Sequence, residues 1–211
     1  MRKPGSVASL ETLGRVRLSD NFFMRDFLYS EIANFLGVPN MPDDPDLAIE
    51  MGSRLCQELL DPLQVRFGRI SIRSAYRSVA VNAVGNERGF NCASNESNYA
   101  GHIWDRRDQN GFGGATACIV VNRFIPYYEA TGDWQAMAWW VHDHLPHGGM
   151  EFFPKLAAFN LRWHEQPVPS IYSHIAGARG WLTKAGAPDH HRTDHADRYA
   201  AWLAWDGRAQ P

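Results

Sequence analysis

Residues 70–78, ISIRSAYRS, and residues 114–121, GATACIVV, decide how this chain reads. The first opens with Ile70, Ile72 and Ser74 on alternate positions, the period of a half-buried strand. The second feeds a run of small residues into β-branched ones, which also reads as strand. Between them lies SNYAGHIWD (97–105), followed by a turn at Asn110-Gly111 of the kind that closes hairpins. This stretch holds Arg77, His102, Asp105 and Cys118, more reactive chemistry than a connection between strands requires.

Working outward, FFMRDFLYSEIANFL repeats Phe23, Phe27, Ile32 and Phe35 at roughly helical spacing, with Ser19 or Asp20 as cap. A proline-rich loop, GVPNMPDDP, separates it from a second helix capped by Asp46, whose Leu47, Met51, Leu55 and Leu59 fall four apart on one face. Asp61-Pro62 kinks or ends that helix, and Phe67-Gly68 leads into the first strand. SVAVNAVGNERG (78–89) is a short helix closed by glycine. A further helix starts near Asp133 and stops at Pro146, MEFF (150–153) is a short strand, and AAFNLRWHEQP alternates Phe159, Leu161 and Trp163 against Asn160, Arg162 and His164. The expectation is an α+β fold, a small antiparallel sheet with flanking helices. Residues 1–17 read as an N-terminal arm, 18–170 as the main domain, and 171–211 as a wrapping tail ending in a short helix at YAAWLAW. Its DHHRTDHADR run (189–198) reads as solvated.

At 211 residues, 45% hydrophobic and 21% charged, the chain is long enough for one domain with a real core. A net charge of −2 without a long basic run argues against a nucleic-acid partner. The three cysteines, Cys56, Cys92 and Cys118, lack CxxC spacing, which argues against a disulfide framework or a structural zinc knuckle. No apolar run reaches the roughly 18 residues of a membrane span. The N-terminal residues have no apolar signal core, so the expected compartment is the cytoplasm.

The segments LSDNFFMRDF, LCQELLDPLQVRFGRISIRSAYRSVAVN and RWHEQP occur in an order that resembles the D-alanyl-D-alanine carboxypeptidase and dipeptidase family of zinc peptidases, within the hedgehog/DD-peptidase fold. The resemblance covers about residues 18–170. It implies a zinc ion held by two histidines and a carboxylate, with water in the fourth position. It also implies a short-peptide substrate such as the peptidoglycan stem. Carried over residue by residue, Arg77 matches the arginine that stabilises the oxyanion, and His164 matches the final ligand. His102 stands nearest the first ligand position. GATACIV resembles the family's GxAADIV ending, with Gly114, Ala117 and Ile119 in register, but puts Cys118 where the aspartate belongs. The resulting candidate metal set is His102, Cys118 and His164. Asp105 is the alternative carboxylate and His142, in WVH, the alternative third ligand. Glu151 is the candidate general base, outside the family's spacing. A thiolate ligand keeps the zinc reading open.

Each residue also has a plainer reading: His102 as a hydrogen-bonded interior histidine, Cys118 as a buried thiol, Arg77 as the partner of Asp105. A peptidoglycan substrate without an export signal fits a phage-type protein, released at lysis or assembled into a particle. The alternative function is a catalytically inactive member of the fold, serving structure or binding in such a particle.

Overall fold

The structure, a computed structural model, describes residues 1–206. The last five residues of the expected tail, 207–211, lie outside the described residues. Nine α-helices and six strands are described: α1 Val7–Gly14, α2 Glu31–Leu36, α3 Pro45–Leu55, α4 Asp61–Phe67, β1 Ile70–Ser74, α5 Val79–Glu87, α6 Asn95–Asn98, β2 Gly114–Val121, α7 Ile125–Thr131, α8 Gln135–His144, β3 Gly149–Phe152, β4 Phe159–His164, β5 Ile171–Ser173, β6 Gly180–Thr183 and α9 Ala196–Leu203.

The expected helix over residues 22–36 is broken in two. Met24–Phe27 is a single 3-10 turn, and Ser30 starts α2 by accepting from the Ala33 amide, so neither Ser19 nor Asp20 caps it. Asp44, not Asp46, caps α3, with Pro45 at its first position. The helix also does not end at Pro62. Cys56–Leu60 widens into a π turn, and the Asp61 amide reaches back to the Cys56 carbonyl. That shift places Pro62 in the first turn of α4, where its missing donor costs nothing.

The strands form one sheet in the order β1-β2-β4-β3-β5-β6. All neighbours are antiparallel except β3 and β5, which run parallel. The sheet is therefore six-stranded and mixed, a correction to the small antiparallel one expected. The two additional strands come from the segment read as tail.

One face of the sheet is apolar. Ala115, Ala117, Ile119 and Val121 on β2, Phe159, Leu161 and Trp163 on β4, and Met150 and Phe152 on β3 all join the main core beneath α3, α4 and α8. Phe152 and Phe159 stack there at 4.6 Å between ring centroids. The N-terminal arm and the tail belong to the same core, through Leu13 of α1 and through Tyr199 and Trp202 of α9.

The opposite face carries the alternate residues: Thr116 and Cys118 on β2, Asn160, Arg162 and His164 on β4, and Glu151 on β3. A bulge in β1 pairs Ile72 with Ile119 and Ser74 with Cys118, leaving Arg73 as the extra residue at the rim of this face.

Candidate functional site

The polar face forms the floor of a cleft of about 910 Å³. Its charged lining is Arg73, Arg77 and Arg162 against Glu31 and Glu151, with His102 and Cys118 between them. Ser170, with His174 and Trp181 from the tail, forms part of one wall.

The segment around 97–105 does not form the strand that a ligand-bearing HIWD would need. It is a short helix, α6, and a set of turns with one isolated bridge between Tyr99 and Ile103. An amide network holds it. Asn82 donates to the Ala93 carbonyl and to Asn95, while Asn98 donates to Asn82 and accepts from the His102 amide. Ala100 adopts φ +52°, an uncommon conformation for a residue with a Cβ. Its carbonyl is clamped from below by Nε of Arg162 at 3.1 Å. Gly114 makes that approach possible, because a Cβ there would lie 2.4 Å from the Ala100 oxygen.

His102 is 7% exposed. Its Nδ1 lies 2.7 Å from the Ala75 carbonyl, which can only accept, so Nδ1 carries the proton and Nε2 keeps its lone pair. Burial, with Arg77 adding to it, drives its pKa down to about 3, and the ring stays neutral. Arg77 is tied by its amide to the His102 carbonyl at 2.8 Å and by Nη1 to the Cys92 sulfur at 3.3 Å. It does not pair with Asp105. That carboxylate, 2% exposed, accepts from the Asp43 and Asp44 amides and from the Tyr76 hydroxyl, and so fixes the loop ahead of α3. Asp105 is not in the cleft lining, which removes it as the alternative carboxylate ligand.

Cys118 faces the cleft and also packs with Val120 and Ala158 in a small apolar cluster. Burial pushes its thiol up to about 11 despite Arg73 and Arg77 nearby, so it is a protonated thiol at neutral pH. Across from it stands Asn160, whose amide donates to Glu151 at 2.8 Å. Cys118, Asn160 and Glu151 thus form one row across β2, β4 and β3.

His164 is not in this row. It pairs with Gly114, four residues along β2 from the level of Cys118, or about 13 Å at the rise of a strand. Its Nε2 sits 3.3 Å from Asp108, at an angle that makes no hydrogen bond, and its Nδ1 meets the Gln166 backbone. Glu165 is engaged with Arg107 and the Gly113 amide. The Asn110-Gly111 turn exists, closed by Asp108, but it joins no pair of strands.

The candidate ligands His102, Cys118 and His164 are therefore not brought together, and His142 lies outside the cleft lining. Among the described residues no three His, Cys, Asp or Glu side chains gather closely enough to hold a metal ion. The cleft brings together the His102 imidazole, a thiol and a carboxylate, without His164, the second histidine that the resemblance implies. Arg77, His102, Cys118 and Glu151 do share the cleft, as four of the five candidate residues. Sequence reasoning passed over Asn160, Arg162 and Arg73. The alternation in β4 already put Asn160 and Arg162 on the face of His164, which was the available signal. Comparisons with protein-family models, with curated proteins and with solved structures give no match for this chain.

Proposed function

We propose that the cleft binds a short peptide or similar acyl ligand through a terminal carboxylate and does not hydrolyse it. On this reading the chain is a non-catalytic relative of the zinc D-alanyl-D-alanine peptidases, serving in binding or assembly, for example in a phage-like particle. The observation that carries it is the charge of the cleft: three guanidinium groups face two carboxylates, and one of these, Glu151, is engaged by Asn160. Arginine forks match a carboxylate bidentately. Part-burial of Arg77 and Arg162 strengthens such a pairing relative to the open surface.

A titration followed by amide chemical shifts tests this, using an acetylated lysyl-D-alanyl-D-alanine peptide and its C-terminal amide. The carboxylate should shift residues around Arg77 and Arg162, and the amide should bind at least about 10-fold more weakly. Equal affinity for the two peptides would refute the role of the carboxylate.

The zinc peptidase remains the second reading, favoured by one observation. The Nδ1 of His102 is held by a backbone carbonyl, the arrangement that orients a metal-bound imidazole, and Nε2 is left free of its proton.

A further inference from the structure

The row of side chains across the sheet does not stop at Glu151. Glu151 stands beside Tyr172 of β5, and Tyr172 faces Trp181 of β6. Ile171 and Ser173 are fully buried, so the alternation of the strand turns Tyr172 onto the polar face, with His174 two residues further on. Phe153, two residues beyond Glu151, stands on the same face.

These four rings touch in turn. Trp181 and Tyr172 meet edge to face with centroids 5.0 Å apart, and Tyr172 meets His174 in the same way at 4.9 Å. His174 then lies flat on Phe153, at 5.1 Å and 2° between planes. The result is an aromatic shelf on the outer strands. It opens into the cleft, which Trp181, His174 and Phe153 all line. Trp181 is 54% exposed, a large area for an indole to leave in water.

The rim of the shelf is polar. Glu151 is exposed, and among the described residues its carboxylate accepts one bond, from Asn160 to Oε2. Ser170 lines the cleft, and its hydroxyl stands over Gly149, where a Cβ would come within 3.3 Å of it. Lys184 holds its ammonium 5.7 Å from the centre of the Trp181 ring, on a stem free to turn.

This rim selects what can lie on the rings. An apolar segment of another protein would cover Glu151 and Lys184 and strip them of water without supplying partners. A pyranose ring has a flat face of C–H groups and an edge of hydroxyls that both donate and accept. It covers the rings and bonds to the rim together.

We infer that the shelf of Trp181, Tyr172, His174 and Phe153 is a saccharide-binding subsite. Trp181 supplies the stacking face and Tyr172 props it edge-on, while Glu151, Ser170 and Lys184 bond to the sugar hydroxyls. The subsite adjoins the arginine end of the cleft and does not depend on a carboxylate being bound there.

A titration of the full chain with cellotetraose, followed by the indole and amide shifts of Trp181, tests the subsite. This sugar is neutral and its hydroxyls all lie at the ring edge, so its binding is read separately from the arginine site. A saturable shift should appear at Trp181, Tyr172 and Glu151, half-complete below about 10 mM. Trp181→Ala should weaken it at least about 10-fold, and Glu151→Ala at least about 5-fold. If the β6 amides show that Trp181→Ala has lost the strand, Trp181→Leu replaces it, keeping an apolar side chain against Tyr172. Sorbitol, which has hydroxyls but no flat ring, should give no saturable shift over the same range. A midpoint above about 10 mM, an equal response to sorbitol, or a smaller loss in either variant would each overturn the subsite. Tighter binding of the neutral peptide acetyl-alanyl-phenylalanyl-alanine amide at Trp181 would also overturn it, assigning the shelf to a protein segment.

Discussion

Replacing Gly114 by alanine tests how the sheet positions the segment above it. The new Cβ would lie 2.4 Å from the Ala100 oxygen and 2.9 Å from both the Trp163 oxygen and the His164 ring. Two of these three neighbours are backbone atoms, one in a cross-strand pair and one in a segment pinned by Arg162 and the Asn82–Asn98 network. Neither can yield without breaking a hydrogen bond. Overpacking of this kind costs about 1–3 kcal/mol. Loss of the Arg162 bond to Ala100 adds about 1 kcal/mol, giving about 3 kcal/mol in all. For a chain of this size that corresponds to a fall in Tm of about 6–12 °C. Denaturant unfolding monitored by tryptophan fluorescence reads the change. Gly111→Ala is the companion: its φ is +83° and a Cβ there would meet nothing, so the cost is only the left-handed backbone, about 1 kcal/mol. If Gly114→Ala costs no more than Gly111→Ala, the close approach of Ala100 to β2 is not what holds the segment.

Three further outcomes are expected. Alkylation of Cys118 by iodoacetamide at pH 8 should run about 100-fold slower than that of an ordinary cysteine, because burial moves its thiol from 9.0 to about 11; ordinary reactivity would mean that the thiol is activated and that the cleft has nucleophilic chemistry. Nitrogen-15 spectra should show His102 as the tautomer protonated at Nδ1, without titration between pH 8 and 5; its folded pKa of about 3 lies below the ordinary 6.5, so its contribution to stability is complete above 6.5 and declines below it. Asp105→Asn should destabilise by about 2–3 kcal/mol in chemical denaturation, since a carboxylate buried against the Asp43 and Asp44 amides and the Tyr76 hydroxyl loses its charge and an acceptor.

Much of the sheet was legible in the sequence because its faces differ. Phe159, Leu161 and Trp163 alternate with Asn160, Arg162 and His164, and the two faces of β4 follow that alternation. The helices after Ser78 and near Asp133 were legible from caps and apolar spacing. The break after Phe27 was not, because aromatic residues at helical spacing also suit a 3-10 turn followed by a capped helix. Nor was the passage through Pro62, which depends on a π turn that no local signal announces. The tail was misread at two positions, His190 and His195, which are buried within an otherwise exposed run, because its polar, histidine-rich composition describes a solvated strip as well as it describes a packed one. Only the tertiary contact with α8 distinguishes them.

In the site, residue types were legible and levels along the strand were not. His164 and Asn160 share a face, and the sequence alone does not say which of them stands across from Cys118. The register answers with Asn160, and on that answer the balance between binding and hydrolysis turns.

Calorimetry with the acetylated lysyl-D-alanyl-D-alanine peptide, in chelator and then in added zinc, with the mixture assayed for free D-alanine, tests the central claim most directly. The account predicts binding of equal strength in both conditions, weakened at least about 10-fold by Arg77→Met, and no D-alanine released. Zinc-dependent release of D-alanine, or binding that vanishes in chelator, would contradict it.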